Sequence, residues 1–320
     1  MSPSDRKDTQ SQAHSTARAA ALPPDAVPQG WLIYREHDYL ANKPFADRLV
    51  AAAARHGLAL HPVFHETLAY GVERGRLFAE AVQPQGAVSG PAFAIQRAVD
   101  PFLAQHLELM GARVYNRASV SGMCNDKAWT YQAVSGLGVP MLPTVFADRD
   151  ALPVLEGRFS WPVVVKAVEG RSGKQVHLAE NVSAYRDLCT RLPQGRYVLQ
   201  PMCGRPGTDI RVFVVAGEVV AAIRRQSSVD GSAGFRANFS LGGHAQVHVL
   251  SERETEWIRR ITAAFDFDYV GIDFLLDEEG AFLFNEIEDA VGSRTLSVCT
   301  DIDIADLFLA HVRRSLSAGA

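Results

Sequence analysis

Residues 269–288, YVGIDFLLDEEGAFLFNEIE, form two apolar stretches on either side of the acidic turn Asp277 to Gly280. The first stretch contains Asp273, and the second carries Glu286 and Glu288 two positions apart. Successive side chains of a strand point to opposite faces, so Glu286 and Glu288 share one face. The stretch therefore predicts a hairpin whose apolar strands carry carboxylates.

The direction of Asp273 depends on how many residues connect the two strands. An even number pairs Asp273 with Phe284 and directs it to the face of its diagonal neighbour Glu286, at about 7–8 Å. An odd number directs Asp273 to the opposite face. Three bare like charges on one apolar face would repel strongly, whereas a hard divalent cation such as Mg²⁺ would neutralise them and bind substrate phosphates. The alternative is an acidic edge that faces solvent or pairs with arginines.

A second motif is the apolar strand Pro162 to Ala167, which contains Lys166 and leads into a loop with Gly170 and Gly173. A lysine in an apolar strand needs an anionic partner, and glycines beside it allow backbone N–H groups to approach a phosphate. A plain hairpin turn whose lysine reaches solvent explains the pattern about equally well. The loop has neither Walker A nor Rossmann spacing.

A set of cationic side chains accompanies these motifs. It consists of Lys127, Arg211, Arg224, Arg225 and Arg236, with Asn238 nearby. Arg224 and Arg225 are adjacent at the end of an apolar strand, so one of them faces each side of the sheet. One can bind a phosphoryl group or a developing oxyanion, and structural ion pairs are the alternative.

Length and composition exclude several classes of protein. The 320 residues predict two domains, or three small ones. With 47% hydrophobic and 21% charged residues, the chain is globular rather than disordered, fibrous or membrane-embedded. The formal net charge of −4 gives no basic excess, which argues against nucleic acid as a partner.

Cysteine usage and hydropathy predict the compartment. The four cysteines are far apart and include no CxxC, as expected of a reduced intracellular protein without disulfides or a zinc site. No apolar run is long enough to cross a bilayer, and the N-terminal region lacks the apolar core of a secretory signal. We therefore expect a cytoplasmic protein with no membrane partner.

The order of the segments predicts an α/β fold with α+β parts. Residues 1–28 have almost no large apolar side chains and are expected to be a disordered tail. Strands that alternate with helices predict a small parallel α/β domain over residues 29–117, with Gly86 to Ser89 as a strand and a long helix that includes Ile95 and Leu107. A central lobe over 118–202 and a strand-rich C-terminal lobe over 203–320 follow, and Gly217-Glu218 is the predicted turn of a hairpin in the latter.

Eight motifs occur in one order along the chain: CNDKAWTYQAV, GVPMLPT, PVVVKAVEGRSGKQVHL, YVLQPM, TDIRVFVVAGEVVAAIRR, GFRANFSLGG, GIDFLL and LFNEIEDAVG. Together they resemble the ATP-grasp enzymes, and most of all their RimK-type branch of carboxylate–amine ligases. The resemblance covers about residues 110–310. It implies the ATP-grasp fold, in which a small N-terminal α/β domain precedes two α+β lobes that clamp ATP.

The resemblance also implies roles for individual residues. The ATP-binding set comprises the phosphate lysines Lys127 and Lys166, the mobile loop Gly170, Arg171, Ser172 and Gly173, the adenine hinge Gln200, Pro201 and Met202, and the nucleotide contacts Asp209, Arg211 and Asn238. The catalytic residues are Arg225 and Arg236, beside the phosphates and the acyl group. The metal ligands are Asp273, Glu286 and Glu288.

Three positions depart from the family pattern. Pro201 replaces a residue that is often acidic, so one direct contact to adenine is expected to be missing. Glu288 replaces the usual asparagine ligand. The loop Asp289 to Arg294 replaces a small-residue loop that borders the acceptor pocket, and Arg294 is the candidate for holding a substrate carboxylate.

The reaction implied by the resemblance is ATP-dependent and Mg²⁺-dependent ligation. A carboxylate is phosphorylated to an acyl phosphate, and an amine, expected to be that of an amino acid, displaces phosphate to form an amide, with release of ADP and phosphate. Two Mg²⁺ ions are expected, with Mn²⁺ as an alternative, and a homo-oligomer is left open. The alternatives are a small-molecule kinase of the same fold and a nucleotide-binding module without catalysis.

Overall fold

The computed structural model describes residues 27–83, 86–170, 175–228 and 243–318. The predicted tail, residues 1–28, lies outside these ranges except for its last two residues. Five candidate site residues also lie outside them: Arg171, Ser172, Gly173, Arg236 and Asn238. Within the described ranges, no helix combines the length and the apolar character needed to cross a membrane.

The first third of the chain contains a parallel sheet flanked by helices. Its elements are β1 (Gln29–Tyr34), α1 (Glu36–Ala41), α2 (Lys43–Arg55), β2 (Ala59–Phe64), β3 (Leu68–Glu73), β4 (Arg76–Gln83), β5 (Gly86–Ser89), β6 (Phe93–Gln96), α3 (Pro101–Leu109) and β7 (Arg113–Tyr115). The parallel sheet has the strand order β2-β1-β6-β7. All residues of β1 after Gln29 are buried, as expected for a strand covered on both faces. The predicted parallel α/β arrangement is confirmed.

Two predictions within this region are wrong. The strand Gly86–Ser89 exists, but it belongs to a separate antiparallel sheet with the order β3-β4-β5. The third strand of the parallel sheet along the chain is instead β6, which contains Ile95, and the following helix begins only at Pro101. Ile95 therefore belongs to a fully buried strand, whose short apolar run cannot be told from a buried helix by periodicity alone.

The rest of the chain forms two further sheets. The central elements are α4 (Ala118–Cys124), α5 (Lys127–Ser135), β8 (Val145–Asp148), β9 (Val163–Ala167), β10 (Val176–Ala179), α6 (Val182–Arg191) and β11 (Arg196–Pro201). The later elements are β12 (Thr208–Val215), β13 (Glu218–Gln226), β14 (His244–Val247), α7 (Glu252–Ala264), β15 (Tyr269–Leu276), β16 (Phe282–Glu288), α8 (Arg294–Cys299) and α9 (Ile304–Ala318). The central sheet has the order β10-β9-β11-β8, and the C-terminal sheet has the order β14-β13-β12-β15-β16.

The hairpin between β12 and β13 is present, but its turn lies one residue earlier than predicted. Val215 pairs with Glu218, so the two turn residues are Ala216 and Gly217. Both have positive φ angles, 55° and 77°, as a type I′ turn requires. A glycine in the second position fits this turn, whereas Ala216 adopts a conformation that is uncommon for a residue with a side chain.

The C-terminal helix completes the core of the first sheet. Phe308 and Val312 of α9 belong to one buried apolar cluster with Leu49 of α2 and Leu32 of β1. Tyr269, the first residue of β15, is part of the same cluster. The parallel sheet and the C-terminal sheet are therefore joined by a continuous apolar core.

Gly271 allows the loop after β16 to pack against β15. A Cβ atom at Gly271 would lie 2.6 Å from Cγ2 of the fully buried Val291, closer than atoms can approach. We predict that Gly271→Ala lowers the free energy of unfolding by about 1–3 kcal/mol, because the added methyl overpacks a filled site. Urea denaturation measures the change.

The matched control for this prediction is Gly136→Ala. Gly136 has a φ of −79° at the end of α5, and nothing lies within 4 Å of its Cβ position. The control should leave stability unchanged or raise it by less than about 1 kcal/mol. Equal stabilities of the two variants would show that the loop does not depend on close contact at Gly271.

Candidate active site

A β-bulge decides the direction of Asp273. Leu276 pairs with Phe282, so the connection between the strands has an odd number of residues, and Phe284 pairs with Phe274 rather than with Asp273. The register then shifts, and Asp273 pairs with Glu286. Asn285 is the extra residue, and it returns Asp273 to the face of the two glutamates. The predicted Asp273–Phe284 pair is wrong, but the predicted common face is present.

The bulge brings three carboxylates together. Oxygen atoms of Asp273, Glu286 and Glu288 all lie within 4.8 Å of one another. Asp273 is 1% exposed, whereas both glutamates remain partly exposed. The cluster therefore opens on the side of the glutamates, with Asp273 at its base.

Arg211 binds two of these carboxylates. Its Nε and Nη2 donate to the two oxygens of Asp273 at 2.7 and 2.6 Å, and Nη2 also lies 2.8 Å from Oε1 of Glu288. The pairing is possible because Arg211 and Asp273 are direct cross-strand partners in β12 and β15. A bidentate pair of this kind is strong and fixes both side chains.

Arg225 completes a buried network of charges. It donates to both oxygens of Asp209 at 2.7 and 2.6 Å, and its Nη2 reaches Oδ2 of Asp273 at 2.8 Å. Burial disfavours the charge of Asp273, but Arg211 and Arg225 outweigh it and hold the pKa of Asp273 below its usual range. The arginine pairing that the sequence left open as an alternative is therefore present beneath the carboxylate cluster.

The donor set suits a hard divalent cation. Glu286 has only one charged contact among the described residues, with Lys127 Nζ at 3.6 Å. Oε2 of Glu288 accepts no hydrogen bond from any described residue, and Oδ1 of Asp273 accepts only one, from Arg211, so it keeps a free lone pair, whereas Oδ2 accepts from both arginines. All of the candidate ligands are oxygens, as Mg²⁺ prefers.

Two lysines approach the same cluster, Lys166 from the central sheet and Lys127 from helix α5. Nζ of Lys166, on β9, donates to Oδ1 of Asn285 at 2.8 Å. Nζ of Lys127, at the start of α5, donates to the carbonyl of Gly170. The buried ammonium of Lys166 is costly to charge, and nearby Lys127 adds to that cost, so the pKa of Lys166 falls to about 8 although Glu286 opposes the shift.

The predicted adenine hinge lies at the end of β11. Gln200 is 1% exposed, and its Nε2 donates to Oγ1 of Thr144 at 2.9 Å. Its Oε1 is buried and has no hydrogen-bond partner in the described structure. The backbone N–H of Met202 already donates to the carbonyl of Pro162 at 3.1 Å, so the role of the hinge stays a prediction.

Arg294 is exposed at the first position of α8. No hydrogen bond or ion pair within the described ranges joins it to the three carboxylates, so its role also stays a prediction. Asn285, in contrast, was missed by the sequence analysis. The available signal was a polar residue between the apolar run Phe282 to Phe284 and Glu286.

Comparison with known proteins identifies the domain. Residues 127–312 match the family of RimK-like ATP-grasp domains. The chain is 32% identical over 235 residues to beta-citrylglutamate synthase B of Mus musculus, a match that covers 70% of this chain and 59% of the mouse protein. It is 31% identical over 221 residues to a probable alpha-L-glutamate ligase of Xanthomonas euvesicatoria pv. vesicatoria (strain 85-10), covering 68% of this chain and 74% of that protein. The chain thus spans about three fifths of the length of the mouse relative.

A solved structure shares the fold. The ATP-grasp ligase PsnB, in complex with a phosphomimetic variant of its minimal precursor, Mg and ADP, superposes with a TM-score of 0.62. The two chains are 14% identical, and the match covers 90% of this chain and 97% of that one. The predicted ATP-grasp fold is thereby confirmed.

The pKa of Lys166 predicts how ATP binding depends on pH. Above about pH 8 the ammonium of Lys166 in the free protein loses its charge, and we expect the phosphates of ATP to bind the charged form. We expect ATP affinity to fall above pH 8, by up to about tenfold per pH unit, with proton uptake on binding. Calorimetric titration in buffers of different ionisation enthalpy measures both effects. Lys166→Arg, which stays charged, should remove the pH dependence, and an unchanged slope in that variant would contradict the assignment.

The charge network predicts the effect of Asp273→Asn. The variant removes a negative charge that two buried arginines share, so we expect the free energy of unfolding to fall by about 3–5 kcal/mol. Thermal and urea denaturation measure it. The control is Glu256→Gln on α7, whose ion pairs with Arg259 and Arg260 are exposed to solvent, so its loss should leave stability nearly unchanged. Similar losses in both variants would rule out the buried network as a stabilising element.

Proposed function

The chain belongs to the RimK-like ATP-grasp family, and we propose that it is an ATP-dependent ligase that joins a carboxylate to an amine. The observation that carries the proposal is the carboxylate cluster Asp273, Glu286 and Glu288 facing Lys127 and Lys166. Carboxylates that face two lysines in this way suit the complex of a divalent metal ion with the triphosphate of ATP. The names of the relatives make glutamate the first amine substrate to test.

In the proposed reaction a substrate carboxylate attacks the γ-phosphorus of ATP to give an acyl phosphate and ADP. The amine then attacks the acyl carbon, and phosphate leaves as the amide forms. Lys127 and Lys166 hold the phosphates and balance their charge. Mg²⁺ held by the three carboxylates would neutralise charge on the β- and γ-phosphates. Arg211 and Arg225 keep Asp273 ionised and in position.

Several finer features belong to the same proposal. We expect two Mg²⁺ ions, with Mn²⁺ able to replace them, because three carboxylates exceed the one or two that a single Mg²⁺ commonly binds. Gly170 and the residues that follow it would cover the phosphates, and Gln200, Pro201 and Met202 would bind adenine. Arg236 and Asn238 would contact the phosphates, and Arg294 would hold a carboxylate of the acceptor substrate. Domains over 29–117, 118–202 and 203–320 and a cytoplasmic location complete it, and a homo-oligomer is left open.

The test is an assay of ATP turnover. Purified protein with ATP, Mg²⁺ and pools of amino acids and small carboxylates should release ADP and phosphate only when an acid and an amine are both present. Mass spectrometry should detect the amide. Release of AMP and pyrophosphate would contradict the mechanism, and a stable phosphorylated product would identify a kinase instead.

Glu286→Gln is the variant that tests the cluster in this assay. Glu286 is partly exposed and, among the residues that the structure describes, makes one ion pair, at 3.6 Å with Lys127, so its loss should change stability by about 1 kcal/mol or less. We expect the rate of ADP release to fall by about 10²-fold or more, because a charge-stabilising group is removed from the reacting phosphates. A variant that retains wild-type turnover would show that the cluster is not the reaction centre.

A further inference from the structure

The strand that carries the two glutamates is held from both sides just before the bulge. Phe284 of β16 pairs with Phe274 of β15 on one side. On the other side its backbone N–H donates to the carbonyl of Pro140 at 2.7 Å, and it forms an isolated parallel bridge with Met141. The ring of Phe284 is fully buried and meets that of Tyr131 on α5 edge to face, with the ring centres 5.7 Å apart. This point of β16 is therefore fixed relative to the central segments of the chain.

Asn285 follows this fixed point as the extra residue of the bulge. It has no partner on β15, because the residues on either side of it pair with consecutive residues of that strand. Bulges beside active sites commonly redirect a side chain. The side chain of Asn285 reaches across to the central sheet, where its Oδ1 lies 2.8 Å from Nζ of Lys166. One residue therefore links the strand of the carboxylate cluster to a lysine of the facing sheet.

The contact joins a buried ammonium to a neutral amide. An ammonium has no acceptor, so it is the oxygen of the Asn285 amide that faces Lys166. Lys166 is 8% exposed, and among the described residues its side chain has no other hydrogen bond and no ion pair. The neighbouring carboxylate of Glu286 is paired with Lys127 instead, at 3.6 Å. Since buried charges are usually paired with opposite charges, Lys166 is a cation whose charge remains available to a ligand.

The hydrogen bond to Asn285 restrains the end of a flexible side chain. An ammonium group has three N–H donors, and Asn285 accepts one of them. A lysine side chain loses much rotamer freedom when it is fixed, so a partner that fixes it in the free protein reduces the entropy lost on binding a ligand. The two other donors have no partner within the described ranges, and phosphate oxygens can accept both. The free protein therefore already holds Lys166 in a form suited to contact a phosphate.

We propose that Asn285 is a positioning residue, which holds the charged side chain of Lys166 in place for the phosphates of ATP without neutralising it. A carboxylate at this position would pair with the ammonium and compete with phosphate, whereas an apolar side chain would leave the lysine unrestrained. Because Asn285 directly precedes Glu286, the same bulge keeps the lysine in register with the carboxylate cluster. The inference rests on the proposed function and adds to it the residue that couples the two parts of the nucleotide site.

Calorimetric titration of the full chain with a non-hydrolysable ATP analogue and Mg²⁺ tests the proposal without turnover. Asn285→Leu nearly keeps the side-chain volume and removes the acceptor. We expect the affinity for the analogue to fall about tenfold, because Lys166 then has to be ordered on binding. Asn285 is partly exposed, so the melting temperature of the free protein should change little.

Two further variants separate this role from a general effect on the fold. Asn285→Gln retains an amide oxygen on a longer side chain, and its affinity should stay within about threefold of the wild type. Asn181→Leu removes a comparable hydrogen bond elsewhere in the central part of the chain, where Oδ1 of Asn181 accepts from the backbone N–H of Ala184 in the first turn of α6 at 3.0 Å. This control should lower the melting temperature through loss of the helix cap and bind the analogue like the wild type.

A double-mutant cycle shows whether Asn285 acts through Lys166. Lys166→Met removes the ammonium and should itself weaken binding of the analogue. In the Lys166→Met protein, Asn285→Leu should cause less than about a twofold further loss, because the contact that it removes no longer exists. Two residues that act independently would instead give the product of their separate losses.

Three results would overturn the proposal. They are wild-type affinity in Asn285→Leu, equal losses in Asn285→Leu and Asn285→Gln, and an undiminished loss when Asn285→Leu is added to Lys166→Met. The second result would assign the effect to the shape of the bulge, and the third to a direct contact of Asn285 with the nucleotide or the metal. Failure of the ligase proposal is a separate result, because it appears as absence of ADP release in a protein whose nucleotide affinity still depends on Asn285.

Discussion

Asp273 and its two arginines form the interaction on which the C-terminal sheet and its site depend. The buried carboxylate accepts hydrogen bonds from Arg211 and Arg225, which lie on the two neighbouring strands β12 and β13. A buried charge without partners would be unstable, so the network requires these three strands to keep one register. That register also directs Glu286 and Glu288 to the same opening. The same ion pairs therefore maintain the fold and prepare the site for a cation.

The sequence allowed most of the candidate site to be predicted, because carboxylates and lysines stand out in apolar strands. The side of the sheet to which Asp273 points could not be predicted, because it depends on a β-bulge at Asn285 that no pattern in the sequence indicates. Arg225 was assigned a catalytic role by the resemblance, with a structural ion pair as the alternative, and its bidentate pair with Asp209 became visible only with the strand register. Pairing across a sheet is a tertiary property, and spacing along the chain does not encode it directly.

The fold was predictable to a similar extent. Alternating strands and helices indicated the parallel sheet, but Ile95 was assigned to a helix because a four-residue buried strand has no distinctive period. The hairpin β3–β4 was missed for a different reason: its strands are largely exposed and carry mixed polar and apolar residues.

The position of α9 has a consequence for how the chain acquires its structure during synthesis. This helix covers α2 and β1, yet it leaves the ribosome after every described strand has been made. Until then the apolar surface around Leu32 and Leu49 lacks its native cover. The nascent chain therefore exposes an incomplete apolar core, and a chaperone would cover this surface during that interval.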